Sequence, residues 1–258
     1  MAIIKKSPEE LDQMAAAGAV LVKTMNLLES KIRPGVSTRE LDVAAETFIR
    51  SQGCEPTFKG YRGFPGSICA SPNSMVVHGI PGSYKLAKGD ILSVDIGVTK
   101  DGWVADAART FPVGPVSDEA AKLLEVTEGA LFLAVAQCRP GNHLGDISHA
   151  VQQHVEANGF SIIRNLVGHG VGRSMHEDPQ VPNFGRGGSG VRLEPGMVLA
   201  VEPMVNIGKH AVRVANDGWS IFSQDGSLAA HFEFTIAVTA EGPRVLTPWH
   251  EGRARQAA

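Results

Sequence analysis

An Arg-Pro-Gly triplet at residues 33–35 returns at residues 139–141. The spacing is not isolated. Gln52-Gly53 is answered 106 positions later by Asn158-Gly159, and Lys88 to Asp95 aligns with Pro195 to Glu202 at an offset of 107. Each stretch reads helix, helix, strands. A period shared by helix-like and strand-like segments points to an internal duplication, which restricts the fold to two similar halves packed together. The halves run roughly over 33–114 and 139–240. A chain of 258 residues can hold one large domain or two small ones. The repeat favours a single domain over 1–258, with a short tail at 249–258.

Four helix starts or faces can be read. Ser7-Pro8-Glu9-Glu10 combines a serine cap, proline at the first helical position and acids in the first turn. Ser37-Thr38-Arg39-Glu40 is a capping box, and its helix stops at Gly53. Ser117-Asp118-Glu119 opens a third helix, ended by Pro140-Gly141. A fourth carries Ile147, Val151 and Val155 and stops at Gly159.

The strands carry the chemistry. In Ile91 to Val98, residues Leu92, Val94, Ile96 and Val98 share one face, which leaves Asp95 on the other. Lys100-Asp101-Gly102 reads as a hairpin turn, which sets Asp106 of the return strand roughly opposite Asp95. Glu202 and Glu233 take the same parity in two later strands, each expected within the strand. A desolvated, unpaired carboxylate in a central strand costs several kcal/mol. Four of them repel unless protonated or bound to cations, and two divalent ions would neutralise the set. Oxygen donors with one or two imidazoles suit manganese, iron, cobalt or zinc. Glycine-flanked His169, together with His176, supplies imidazole, and His78 is a further candidate.

Other chemistries lack their signatures. The chain has no zincin His-Glu-x-x-His, no nucleophile elbow and no phosphate loop. Gly185 to Gly190 reads as a flexible loop, and Cys69 as a pocket or core residue. A net charge of −3 disfavours nucleic acid as the main ligand. No apolar run approaches the ~18 residues of a membrane span, and no signal peptide opens the chain. Three cysteines without CxxC spacing fit a reducing cytoplasm.

These residues resemble the methionine aminopeptidase family, type I in its minimal bacterial form, which has the α+β pita-bread fold: two pseudo-symmetric halves with a curved antiparallel sheet backed by helices. The resemblance runs from about Ile4 to Leu246. It rests on Gly60-Tyr61-Arg62-Gly63-Phe64-Pro65 through Cys69, on His78-Gly79-Ile80-Pro81, and on Asp95 with Asp106. It continues through Gly168-His169-Gly170, His176-Glu177-Asp178-Pro179, Val201-Glu202-Pro203 and Phe232-Glu233. Met175 stands where the family often has an aromatic residue. His231 and Phe234 flank Glu233 where glutamine and histidine are more usual. Only 31 positions separate Glu202 from Glu233, too few for the insertion of the type II enzymes.

The resemblance implies removal of the initiator methionine from nascent chains when the second residue is small. It implies two divalent ions held by Asp95, Asp106, His169, Glu202 and Glu233. Asp106 and Glu233 would bridge the ions, Asp95 would complete one, and His169 with Glu202 the other. A metal-bridging water or hydroxide would be the nucleophile. Glu202 would shuttle the proton, His176 would donate to the developing oxyanion, and His78 would contact the scissile amide or adjacent backbone. Phe58, Tyr61, Phe64, Cys69, Met175 and Trp219 match the pocket for the methionine side chain. The resemblance also implies a cytoplasmic enzyme, expected to be a monomer with transient ribosome contact and no membrane association. Two other readings are a proline-specific peptidase of the same fold, which would carry a sizeable N-terminal domain, and a non-catalytic binding protein, which would have lost ligands.

Overall fold

Both capping boxes form. In α1 (Pro8–Lys31) the Ser7 hydroxyl accepts from Glu10 N–H at 3.3 Å, and the Glu10 carboxylate accepts from Ser7 N–H at 2.8 Å. Ser37 and Glu40 repeat the arrangement at α2 (Thr38–Ser51). A cap of this kind is worth about 1 kcal/mol. Helix α3 covers Asp118–Gln137 behind Ser117, and α4 covers Leu144–Ala157. Gly53 and Gly159, just past α2 and α4, have φ of 70° and 80°, where a side chain would be strained. This computed structural model describes residues 3–251. Met1, Ala2 and the tail from Gly252, with Arg253 and Arg255, lie outside the described residues.

The central hairpin pairs Ile91–Lys100 with Trp103–Pro112 across a two-residue turn. Asp101 and Gly102 both have positive φ, 51° and 76°, as the twist-matched hairpin turn requires. The register corrects one expectation. Asp95 faces Ala108, and Asp106 faces Gly97, so the two acids are diagonal neighbours rather than opposite each other. They still share a face, because both offsets are even. Ile68–Pro72 and Glu55–Pro56 pair along the other edge of Ile91–Lys100, which completes the first sheet.

The second large sheet runs in the order Gly242–Val245, Phe234–Thr239, Val198–Val201, Gly168–Gly170, Glu177–Val181, all antiparallel. A second correction follows. Glu202 lies one residue beyond its strand, and Glu233 one residue before its own. Neither acid is spent in the middle of a ladder, so both are free to turn into the space between the sheets.

Helices α1 and α2 back the first sheet, while α3 packs on α4 and on the second sheet. Leu92, Val94, Ile96 and Val98 are wholly buried in one core cluster with Leu21, Met25 and Leu28 of α1. Burying a side chain of that size stabilises by about 1.5–3 kcal/mol. Isolated antiparallel β-bridges join Ser37 to Lys85 and His143 to Arg192.

The sheets meet along a polar seam. Thr235 Oγ1 accepts from Asp106 N–H at 3.0 Å and donates to Asp106 C=O at 2.7 Å. Glu233 N–H donates to Ala108 C=O at 2.8 Å. Thr110 Oγ1 accepts from His231 N–H and donates to His231 C=O, both at 2.9 Å. The seam brings the acid-bearing face of the hairpin against the Glu233 end of the second sheet. Residues 185–190, expected to be flexible, are pinned to α4: Gly188 N–H donates to Asp146 at 2.7 Å, and Gly145 N–H to Ser189 C=O at 2.9 Å. No helix among the described residues is long and apolar enough to cross a membrane.

Candidate metal centre

Asp95 and Asp106 from the hairpin, Glu202 and Glu233 from the second sheet, and His169 line one cavity of about 190 Å³. His169 sits in the Gly168–Gly170 strand, where flanking glycines are required. A Cβ at Gly168 would collide with Ala200 C=O, and one at Gly170 with Asp178 C=O. Asp106 and Glu233 are 3% and 2% exposed.

The histidine is oriented for coordination. Its Nδ1 lies 2.9 Å from Gly170 C=O. A carbonyl only accepts, so Nδ1 carries the proton of the neutral ring and Nε2 presents a lone pair. That Nε2 is 3.7 Å from Asp106 Oδ2 and 3.6 Å from Glu202 Oε1. A lone pair facing carboxylate oxygens is repelled unless something positive lies between them.

Three of the acids each leave one oxygen unsatisfied. Asp95 Oδ1, Asp106 Oδ1 and Glu233 Oε1 are buried without any hydrogen-bond partner. Burial pushes Asp95 up to about 7 and Glu202 up to about 8, and drives Asp106 and Glu233 well above the usual carboxylate range. For Asp106 and Glu233 the neighbouring acids add to the effect. Burial also lowers His169 to about 4. Hard oxygen donors, one free imidazole nitrogen and buried carboxyl oxygens without partners fit a divalent cation, which would take the place of the protons. Donor atoms of Asp106, His169 and Glu233 all lie within 4.8 Å of one another.

The cavity walls change character away from the acids. Phe58, Phe64, Cys69 and Met175 are buried around it, with Tyr61 and Trp219 partly exposed at its mouth. Phe64 and Trp219 meet edge to face at 5.1 Å. Burial, then the nearby acids, hold the Cys69 thiol well above its ordinary range, so it stays protonated and serves as wall. His78 lies in the left-handed region at φ 59°, and its ring meets Trp219 at 6.4 Å. Burial lowers it to about 4. His176 stands at the mouth, with Nδ1 2.8 Å from the Tyr61 hydroxyl and its ring 4.2 Å from that of His169. Partial burial, then the Arg62 charge, lower its pKa.

Every candidate site residue from the sequence borders this cavity. Two neighbours carried no role in that reading. Arg62 joins the lining, in a left-handed conformation at φ 48°, and stacks over Tyr61 at 5.3 Å. A charged residue in a glycine-rich turn gives no signal of where it points. His231 Nε2 lies 3.5 Å from Glu202 Oε2 and is otherwise unpartnered. Its signal was present, since it shares strand parity with Glu233.

Comparison with known proteins agrees with this chemistry. The model of metallopeptidase family M24 matches residues 12–240. A methionine aminopeptidase of Clostridium perfringens is 53% identical, over 95% of this chain and 98% of the relative. The crystal structure of methionine aminopeptidase from Rickettsia prowazekii superposes with a TM-score of 0.94 at 38% identity, covering 95% of this chain and 100% of that one. An Xaa-Pro dipeptidase from Bacillus anthracis, 24% identical with a TM-score of 0.75, shares the fold, and this chain covers 62% of it. The architecture is the pita-bread fold, with mixed helices and antiparallel sheets.

Proposed function

The chain belongs to metallopeptidase family M24, and on that premise we propose that it removes the N-terminal methionine of peptides whose second residue is small. The observation that carries the reading is the juxtaposition of a buried four-carboxylate, one-imidazole cluster with a small apolar cavity. A long unbranched side chain fills such a cavity, and the scissile bond next to it then lies over the acids. Relatives named methionine aminopeptidase, matched over nearly their full length, support the same substrate.

Asp95, Asp106, His169, Glu202 and Glu233 would hold two divalent ions, drawn from manganese, iron, cobalt or zinc. When bound, such ions supply Lewis acidity toward the scissile carbonyl and make water acidic enough to react near neutral pH. The remaining work falls to the chain. Phe58, Tyr61, Phe64, Cys69, Met175 and Trp219 take the methionine side chain and exclude water. Glu202 takes a proton from water and returns it to the leaving amine. His176 donates toward the oxygen on which charge develops, an interaction strongest in the transition state. His78 aligns the backbone of the substrate beside Trp219. The site would be that of a cytoplasmic, monomeric enzyme acting on nascent chains, with brief ribosome contact.

We read the two halves as products of one duplication. The repeated triplet, the positive φ at Gly53 and Gly159, and the matched bridges Ser37–Lys85 and His143–Arg192 support that reading.

The experiment is release of methionine from Met-Ala-Ser by protein stripped of metal and then supplied with manganese, cobalt, iron or zinc. Stripped protein should be inactive and at least one metal should restore release. No release with any of the four overturns the proposal.

A further inference from the structure

Lys6 and Glu177 are 171 positions apart in sequence and form a buried ion pair. Lys6 Nζ lies 2.6 Å from Glu177 Oε2, and the two side chains are 2% and 8% exposed. Lys6 Nζ also donates to Ile4 C=O at 3.0 Å, and Lys6 N–H to Gly196 C=O at 2.8 Å. The segment ahead of α1 is therefore anchored in place. The second oxygen of Glu177 turns the other way. Oε1 accepts from Arg173 N–H at 2.8 Å and from Ser174 N–H at 3.2 Å. One carboxylate thus joins the amino-terminal segment to the backbone of the loop that ends in His176.

The rest of that loop is fixed as well. The Arg173 guanidinium lies 3.8 Å over the Trp103 ring and donates to Asp101 C=O at 3.1 Å. Val104 N–H donates to Gly172 C=O at 2.9 Å. Gly172 itself leaves no room for a side chain, since a Cβ there would meet Lys6 Cε and, at 2.6 Å, Glu177 Oε1. A buried ion pair is a poor general stabiliser, because desolvation offsets much of the attraction. What it provides here is a fixed geometry, one residue away from His176.

We propose that the Lys6–Glu177 pair is the positioning device for His176: it sets the conformation of the Arg173–Ser174 turn and, through it, the direction in which the imidazole presents its donor to the substrate. The proposal rests on the role given to His176 above. Lys6 and Glu177 touch no reacting atom and act only through that ring.

The test is a thermodynamic cycle on metal-loaded protein, using Met-Ala-Ser and four variants: His176→Ala, Lys6→Met/Glu177→Leu, the triple variant, and Lys6→Met/Glu177→Gln. Displacing a catalytic group by about 1 Å costs up to 10²-fold in rate. Lys6→Met/Glu177→Leu should therefore lower kcat by roughly 10- to 100-fold with KM within about twofold. In the triple variant the loss should not exceed that of His176→Ala alone. Glutamine keeps the acceptor oxygen for Arg173 and Ser174 but not the ion pair that orients it, so Lys6→Met/Glu177→Gln should recover part of the rate and stay below wild type. Amide exchange at Arg173 and Ser174 in metal-free protein should quicken in the leucine variant and return toward the wild-type rate in the glutamine variant. If the double leucine variant fails to fold, Gly172→Ala takes its place. Its methyl group meets first Lys6 Cε and the Glu177 carboxylate, and it should give the same kcat loss and the same non-additivity. Full multiplication of the losses with His176→Ala, or an unchanged kcat in the folded variant, overturns the positioning role. An unchanged kcat in His176→Ala itself strikes instead at the role assigned to His176.

Discussion

The Tyr61 hydroxyl lies 2.8 Å from His176 Nδ1, and which of the two donates follows the imidazole tautomer. Donation by the phenol matches the tautomer with its hydrogen on Nε2, the one the donor role assigned to His176 requires. Tyr61→Phe keeps the stacked ring, whose centroid lies 5.5 Å from the imidazole, and loses that donation. Its kcat should fall by about tenfold with KM little changed, less than the roughly 10²–10⁴-fold that losing a proton donor outright costs. Nitrogen chemical shifts of His176 should then report a mixture of tautomers, and an unmixed spectrum would remove the argument. Glu202→Gln keeps the shape of the side chain and removes its capacity to carry a proton. Steady-state kinetics should show kcat lowered by roughly 10²–10³-fold with KM near wild type. An unchanged rate would assign the proton to another group. At this scale the acids were legible in the sequence, because strand alternation placed Asp95 opposite four apolar neighbours. Arg62 was not, because the direction of a side chain in a left-handed turn follows from the packing around it.

At the scale of elements, the seam between the sheets is the feature on which the site depends. Thr235 satisfies both backbone groups of Asp106 with a single hydroxyl. Thr235→Val preserves volume and leaves a buried N–H and C=O unpaired, each worth about 1–3 kcal/mol. Urea unfolding should show a loss of at least about 1 kcal/mol. Metal titration of the same variant should show weaker binding, since the Asp106 backbone is no longer held against the second sheet. Helix starts were legible because capping is local: Ser7 with Glu10, and Ser37 with Glu40, need only three residues of context. Strand ends were not. Whether Glu202 and Glu233 fall inside a ladder or just outside it depends on where the partner strand stops pairing. The diagonal register of Asp95 and Asp106 likewise follows from a turn of two residues, Asp101 and Gly102, where the sequence suggested three.

Across the whole molecule, the buried acids link folding to pH. In metal-free protein Asp95 and Glu202 hold protons to about 7 and about 8, whereas in an unfolded chain carboxyls release them near 4. His78 and His169, lowered to about 4, lose protons on folding and oppose this below the ordinary histidine range; above about pH 7 the acids alone decide, the folded state binds more protons than the unfolded state, and stability falls as pH rises. Stripped protein should show a melting temperature that declines from about pH 7 to about pH 9. Protein saturated with a divalent metal should show a much flatter profile, because the cation replaces the protons. A stripped protein whose melting temperature rises across that range would contradict the burial of these acids. The stacking of Arg173 on Trp103 also has an optical consequence. The chain has three tryptophans: Trp103 lies beneath the loop that carries His176, Trp219 stands at the mouth of the substrate cavity, and Trp249 is buried beside Phe232 and Phe234. Emission from single-tryptophan variants should therefore separate loop movement from cavity filling, with Trp249 as an internal reference that neither event reaches.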